Sequence, residues 1–243
     1  MFDHVTIRAG DREASERFYE TVLPMVALTP PHRGEEFTEW GDFSLAQSGP
    51  DRPPTHGLHV AFGAPTRRHV DAFWRAGVEA GYRDDGAPGP RVYMPDYYGA
   101  FLLDPDGNSA EAVHHGALRL DGAVDHLWIR VADVSTAQAF YETVAAAAGF
   151  YLIGVRADAA QFAGMRGSFS VVAGPPSEHV HLAFPATADA VVDAFHRAAT
   201  AAGYPDNGPP AERPYHTGYY AAYVLDPDGN NVEVVSHNRP RRS

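Results

Sequence analysis

The chain has 243 residues, enough for one large domain or two of ordinary size. Its 31 acidic and 19 basic side chains give a formal net charge of -12, so no basic footprint exists for nucleic acid as the main partner. It has no cysteine, which excludes disulfides, thiolate metal sites and cysteine nucleophiles and leaves metal binding to histidine and carboxylate.

Taken in chain order, the opening residues hold no signal-peptide core, and no later stretch approaches a membrane span. A cytoplasmic protein with no membrane partner is the expectation. Residues 5–9 alternate strictly and predict a strand. From Arg12 to about Val26, Phe18, Tyr19 and Val22 fall at helical spacing. Val70, Phe73, Trp74 and Val78 stripe a second helix that Thr66 caps and Gly81 ends. Gly77 lies on that stripe although glycine is a poor helix former. Tyr98–Leu103 and Ser109–Val113 then read as two strands joined by an Asp-Pro-Asp-Gly-Asn turn, in which proline fits an early position and glycine supplies positive φ.

After residue 117 the same series begins again. Asp3-His4-Val5 returns as Asp125-His126-Leu127, and Phe18-Tyr19-Glu20 as Phe140-Tyr141-Glu142. His59-Val60-Ala61-Phe62 returns as His181-Leu182-Ala183-Phe184, and Asp104-Pro105-Asp106-Gly107-Asn108 as Asp226-Pro227-Asp228-Gly229-Asn230. All these pairs share one offset of 122 residues, and the register drifts only around the loop at 48–54. Two domains follow, 1–117 and 118–243, each holding two β-α-β-β-β units.

Strand periodicity sorts the polar residues onto faces. In the first strand His4, Thr6 and Arg8 lie opposite Val5 and Ile7; in the middle strand His59 shares a face with Ala61; Glu111 lies in the last. The second half repeats this with His126, Trp128 and Arg130, then His181, then Glu233. Two imidazoles and one carboxylate on a common face leave positions open for water or substrate and suit Fe(II), Mn(II), Zn(II) or Ni(II). A repeated fold needs repeated apolar residues, but it does not need repeated buried ionisable ones.

These motifs, in this order and duplicated, resemble the vicinal oxygen chelate superfamily, which includes glyoxalase I, extradiol dioxygenases, fosfomycin-resistance transferases and bleomycin-binding proteins. The resemblance implies an α+β fold: tandem paired βαβββ modules forming two open cup-shaped mixed β-sheets with flanking helices. It implies His4, His59 and Glu111, and His126, His181 and Glu233, as metal ligands. It leaves open whether each site is built within one half or swapped, with His4 joining His181 and Glu233. It also implies a metal-dependent enzyme, of dioxygenase, lyase/isomerase or transferase chemistry, that chelates a small oxygenated substrate. The alternative is a non-catalytic binder of an antibiotic or aromatic compound.

Further candidates surround the ligands. Extradiol dioxygenases employ a histidine and a tyrosine shortly before the last ligand, and His216 and Tyr223 fall in that region; Met94 and Phe101 stand there in the first half. Of the tyrosines at 97–98 and 219–220, Tyr98 and Tyr220 are the acid–base candidates. Arg8 and Arg130 share the ligand face and are candidates for holding an anionic substrate. His179 is a rival to His181, but Gly57 occupies its place in the first half. A duplicated ligand set suits a fused small dimer, working as a pseudo-dimeric monomer or a homodimer.

Overall fold

Four β-α-β-β-β modules follow one another in the computed structural model, which describes residues 1–116 and 122–238. The first comprises β1 (His4–Ala9), α1 (Arg12–Val22), β2 (His32–Arg33), β3 (Phe37–Trp40) and β4 (Phe43–Gln47). The second comprises β5 (His59–Gly63), α2 (Arg67–Glu79), β6 (Arg83–Pro90), β7 (Tyr98–Leu103) and β8 (Ser109–His114). The third comprises β9 (Val124–Val131), α3 (Val134–Ala148), β10 (Phe150–Arg156), β11 (Ala159–Gly164) and β12 (Ser168–Ala173). The fourth comprises β13 (His181–Ala186), α4 (Asp189–Ala201), β14 (Asp206–Glu212), β15 (Tyr219–Leu225) and β16 (Asn231–His237). The predicted join at 115–123 falls in part outside the described residues.

The strands form two open, eight-stranded mixed sheets, ordered β14-β15-β16-β13-β1-β4-β3-β2 and β10-β11-β12-β9-β5-β8-β7-β6. The chain divides into two compact units. One contains Met1–Val5, Arg130–Pro176 and the residues from His181 onward; the other contains Thr6–Ile129 and Ser177–Val180. We call them the His4 unit and the His59 unit.

The helices form where the sequence places their caps and apolar stripes. Asp11 and Asp133 cap α1 and α3 by accepting from the backbone N–H of Ala14 and Thr136. The first helix stops at Val22, short of the predicted Val26, because Pro24 tightens the next turn into a 3-10 helix over Leu23–Val26. Thr66 stands at the N-cap of α2 without a side-chain bond to the backbone; its hydroxyl meets His69 Nδ1 at 2.8 Å instead. Gly77 is buried on α2, where a Cβ would come within 2.3 Å of Leu102 Cδ1, so its lack of a side chain lets the helix lie close on β7.

The repeated motifs join into one local mechanism. Asp104 Oδ1 accepts from the backbone N–H of Asp106 and Asn108, which folds the turn between β7 and β8, while Gly107 takes a φ of 85°. Its Oδ2 accepts from the buried Tyr19 hydroxyl at 3.0 Å, tying the turn to α1. Asn108 Oδ1 accepts from Leu58 N–H, which fixes the start of β5 beside β8. Tyr141 and Asp226 make the same tie in the His4 unit at 3.3 Å. The Phe-Tyr and Asp-Pro-Asp-Gly-Asn motifs are therefore two ends of a clamp that sets the register of the site strands.

Candidate functional site

Register places the polar residues. In the His59 unit β5 runs parallel to β8 and antiparallel to β9, pairing Ala61 with Glu111 on one side and with His126 on the other. Neighbouring strands lie about 4.8 Å apart, so the buried Ala61 leaves room for His126 and Glu111 to lean together above it. His59, two residues before Ala61, closes the group from the same face. In the His4 unit β13 and β16 repeat the parallel pairing, Ala183 with Glu233, and Asp3 N–H donates to the Ala183 carbonyl, which sets His4 beside them.

Two groups result, His59/Glu111/His126 and His4/His181/Glu233, and in each the donor atoms lie within 4.8 Å of one another. The swapped alternative is the one realised: the first-strand histidine of each half joins the middle-strand histidine and glutamate of the other. His59 Nε2 is 2.9 Å and His126 Nε2 3.4 Å from Glu111 Oε2. His181 Nε2 is 2.8 Å and His4 Nε2 3.5 Å from Glu233 Oε2, with 3.2 Å between the two imidazole nitrogens. Ligands about 2.1 Å from one ion lie about 3.0 Å apart at right angles and about 3.4 Å at the tetrahedral angle. The observed separations match.

Hydrogen inventory in the His59 unit sharpens the fit. His126 Nδ1 lies 2.9 Å from buried Asp125 Oδ1, so this nitrogen carries the proton. His59 Nδ1 lies 3.3 Å from Ser109 Oγ, whose own proton goes to Asp85, so it too is the donor. Both Nε2 lone pairs then face a carboxylate oxygen, and three electron-rich atoms converge on a place that calls for a cation. Without metal, protons fill that need. Burial works against charging His126, but hydrogen bonds to Asp125 and Glu111 outweigh it and raise its pKa to about 9. Burial pushes Glu111 upward, yet the hydrogen bonds from His126 and His59 hold it at about 2. His4 and Glu233 behave alike, at about 9 and about 2 for the same reasons.

The tyrosine one position away from each sequence candidate is the one that reaches the site. Tyr97 donates its hydroxyl to Glu111 Oε1 at 2.7 Å and Tyr219 to Glu233 Oε1 at 2.6 Å, leaving Oε2 toward the histidines. Tyr98 and Tyr220 bond instead to Asp71 on α2 and Asp193 on α4. Adjacent strand positions face opposite ways, so one residue moves a hydroxyl from the site to the helix layer. Tyr223 pairs across the strands with Glu233, and its ring lies 6.3 Å from that of His181. Burial, and then the charge of Glu233, push its hydroxyl well above the ordinary tyrosine range. His216 is not bonded to His4, His181 or Glu233; it meets His237, which meets Asp3, which holds His4 Nδ1.

Arg8 and Arg130 follow His4 and His126 by four residues on β1 and β9, at positions of the same strand face. His179 is exposed with a φ of 57° and precedes β13, outside the ligand face. Asp3 and Asp125 enter the sequence reading only as members of the repeated motif; the reading passed over His115 and His237, and Arg91 and Arg213, which lie over the rings of Phe101 and Tyr223. Each recurs at the 122-residue offset, which is the signal that would have found them. Trp128, stacked on His59 at 4.8 Å, has no such echo, since Thr6 takes its place.

The family model for the Glyoxalase/Bleomycin resistance protein/Dioxygenase superfamily matches residues 1–112 and again 123–234. The chain belongs to this superfamily. Among solved structures it is similar to glyoxalase I from Zea mays, with 20% identity over 97% of this chain and 92% of that one, at a TM-score of 0.68. A single-substitution variant of that enzyme gives 20% identity, the same coverage and a TM-score of 0.70. A glyoxalase/bleomycin resistance protein from Albidiferax ferrireducens T118 is 32% identical over 47% of this chain and 98% of its own, at a TM-score of 0.42. No curated protein matches. No helix among the described residues is long and apolar enough to cross a membrane.

Proposed function

We propose that the chain is an enzyme that binds a divalent transition metal, Fe(II), Mn(II), Zn(II) or Ni(II), at each of two sites and acts on a small oxygenated substrate. The observation that carries this reading is the convergence of His59 Nε2, His126 Nε2 and Glu111 Oε2, with both Nδ1 protons directed outward. A metal bound there would act as a Lewis acid on substrate oxygens. The chain's own residues would hold the rest in place. Asp125 and Asp3 fix the first-strand histidines, and Tyr97 and Tyr219 keep one carboxylate oxygen turned away from the metal position. Tyr223 keeps its proton and can donate it to a bound oxygen. Dioxygenase, lyase/isomerase and transferase chemistry all fit a three-ligand site with open positions. The halves 1–117 and 118–243 are the units of the duplication, the working form is a pseudo-dimeric monomer or a homodimer, and a cysteine-free chain suits the cytoplasm.

The aromatic surroundings of His59 favour a second reading, that of a non-catalytic binder of an aromatic compound. Trp128 stacks on His59, Phe101 lies 5.7 Å away, and the half-exposed Tyr93 meets Trp128 edge-on at 5.2 Å. Metal analysis of protein purified without chelators separates the readings. Two transition-metal equivalents per chain are expected, lost in the His59→Ala, His181→Ala double variant. No metal, or full retention in the variant, overturns the enzyme reading. With metal present, anaerobic Fe(II) loading and a catechol panel test the dioxygenase branch.

A further inference from the structure

Strand register gathers aromatic rings around His59. β5 and β9 pair His59 directly with Trp128, so both side chains leave the sheet from one face. The indole stacks on the imidazole, with ring centroids 4.8 Å apart and planes 23° from parallel. Phe101 pairs with Glu111 across β7 and β8, and its ring lies 5.7 Å from that of His59. Tyr93, between β6 and β7, meets Trp128 and Tyr97 edge-on, each at 5.2 Å. Trp128 is half-buried and Tyr93 is 52% exposed, so both rings keep open surface beside the His59/Glu111/His126 group. Such surface holds water poorly and gains by stacking a flat apolar group.

The twin site keeps the frame and changes the lining. Arg91, Tyr93 and Tyr97 return at the 122-residue offset as Arg213, Tyr215 and Tyr219. Trp128, Phe101 and Met94 do not, since Thr6, Tyr223 and His216 stand in their places. All three exchanges replace a mostly apolar side chain by one with a polar head. Thr6 follows His4 by two residues on the same face of β1, and a threonine has no ring to offer. Its hydroxyl is 2.8 Å from that of Ser44. Tyr223 pairs with Glu233 as Phe101 does with Glu111, so a hydroxyl is added on the face that carries the carboxylate. The difference between the sites is one of side-chain identity.

We infer that the two sites take ligands of different class, and that Trp128 is the residue that sets the difference. The His59 site takes a planar aromatic ring laid against Trp128 and Tyr93; the His4 site takes a polar, non-aromatic ligand. Only the head group of the ligand depends on the proposed metal sites, because ring selection belongs to the chain's own side chains.

The test uses the whole chain loaded with Zn(II) and two probes with the same chelating head, benzohydroxamate and cyclohexanecarbohydroxamate. The rings are similar in size, and only the first is planar and aromatic. In a His4→Ala background, which leaves the His59 site complete, calorimetry should show benzohydroxamate preferred about fivefold or more. A His126→Ala background, which leaves the His4 site, should show the two probes within about twofold. In the His4→Ala background Trp128→Thr should bring the preference to within about twofold. Trp128→Leu, which keeps an apolar side chain without a ring, should do the same and decides the matter if the threonine variant misfolds. No ring preference at the His59 site, an equal preference at the His4 site, or a preference that survives the loss of the indole overturns the inference. If no Zn(II) binds, the metal reading fails, and phenol against cyclohexanol in the metal-free chain still judges ring selection. Phenol should shift the Trp128 indole N–H resonance, assigned by its loss in Trp128→Leu, and cyclohexanol should not; equal shifts, or none, overturn the inference.

Discussion

Replacing Gly77 by alanine tests how closely α2 must approach β7. The added Cβ would sit 2.3 Å from Leu102 Cδ1 and 3.3 Å from Cδ2, whereas carbon atoms pack at about 3.5–4.0 Å. The leucine or the helix must therefore yield by more than about 1 Å, and Leu102 is fully buried with no open side to turn toward. Overpacking of this kind costs about 1–3 kcal/mol, against about 1 kcal/mol gained from better helix propensity. The duplication supplies the remedy. At the same two places the second half holds Ala199 and Val224, both fully buried: a larger helix residue facing a smaller strand residue. Gly77→Ala alone should destabilise, Leu102→Val alone should cost about 1 kcal/mol through its lost methylene, and the double variant should recover at least about 1 kcal/mol relative to their sum. Urea midpoints of the metal-free protein give the cycle. Additivity within about 0.5 kcal/mol, or a stabilising Gly77→Ala, refutes the close-approach reasoning.

Two further outcomes follow from the sites. In the metal-free protein His126 and His4 titrate at about 9 against an ordinary 6.5, so their contribution to stability is complete below 6.5 and is lost as pH rises through 9. Glu111 and Glu233 titrate at about 2 against 4.5, so theirs is complete above 4.5 and is lost as pH falls through 2. Urea midpoints should therefore peak between pH 4.5 and 6.5, and a curve that stays flat from 6.5 to 9 contradicts the ring assignments. In a His4→Ala background, which leaves one complete trio, Asp125→Asn keeps an acceptor for His126 Nδ1 but removes the charge. Chelator competition should show metal affinity about 10–100-fold weaker; a change under about threefold denies Asp125 its role.

Periodicity and repetition carried much of the architecture. The four modules, the turn at Asp104 and the six residues of the two candidate metal groups are legible because side-chain direction in a strand depends only on local alternation. The same rule explains the failure at the tyrosines. Tyr97 and Tyr98 are adjacent, and without a fixed face for that strand nothing local says which hydroxyl meets Glu111 and which meets Asp71. Arg8 and Arg130 share the ligand face, but face membership says nothing of the distance along the strand.

What sequence by itself determined is the inventory: which residues recur, which face each takes, and that two imidazoles and a carboxylate are available twice. Only the tertiary structure decided the partnerships. His4 stands with His181 and Glu233, and His126 with His59 and Glu111, because β1 neighbours β13 and β9 neighbours β5. Strand neighbours are chosen by long-range hydrogen bonding and shared burial, which leave no trace in local spacing. The same holds for Asp3, His237 and His216, which are far apart in the chain and become one hydrogen-bonded line only once β1, β15 and β16 are assembled.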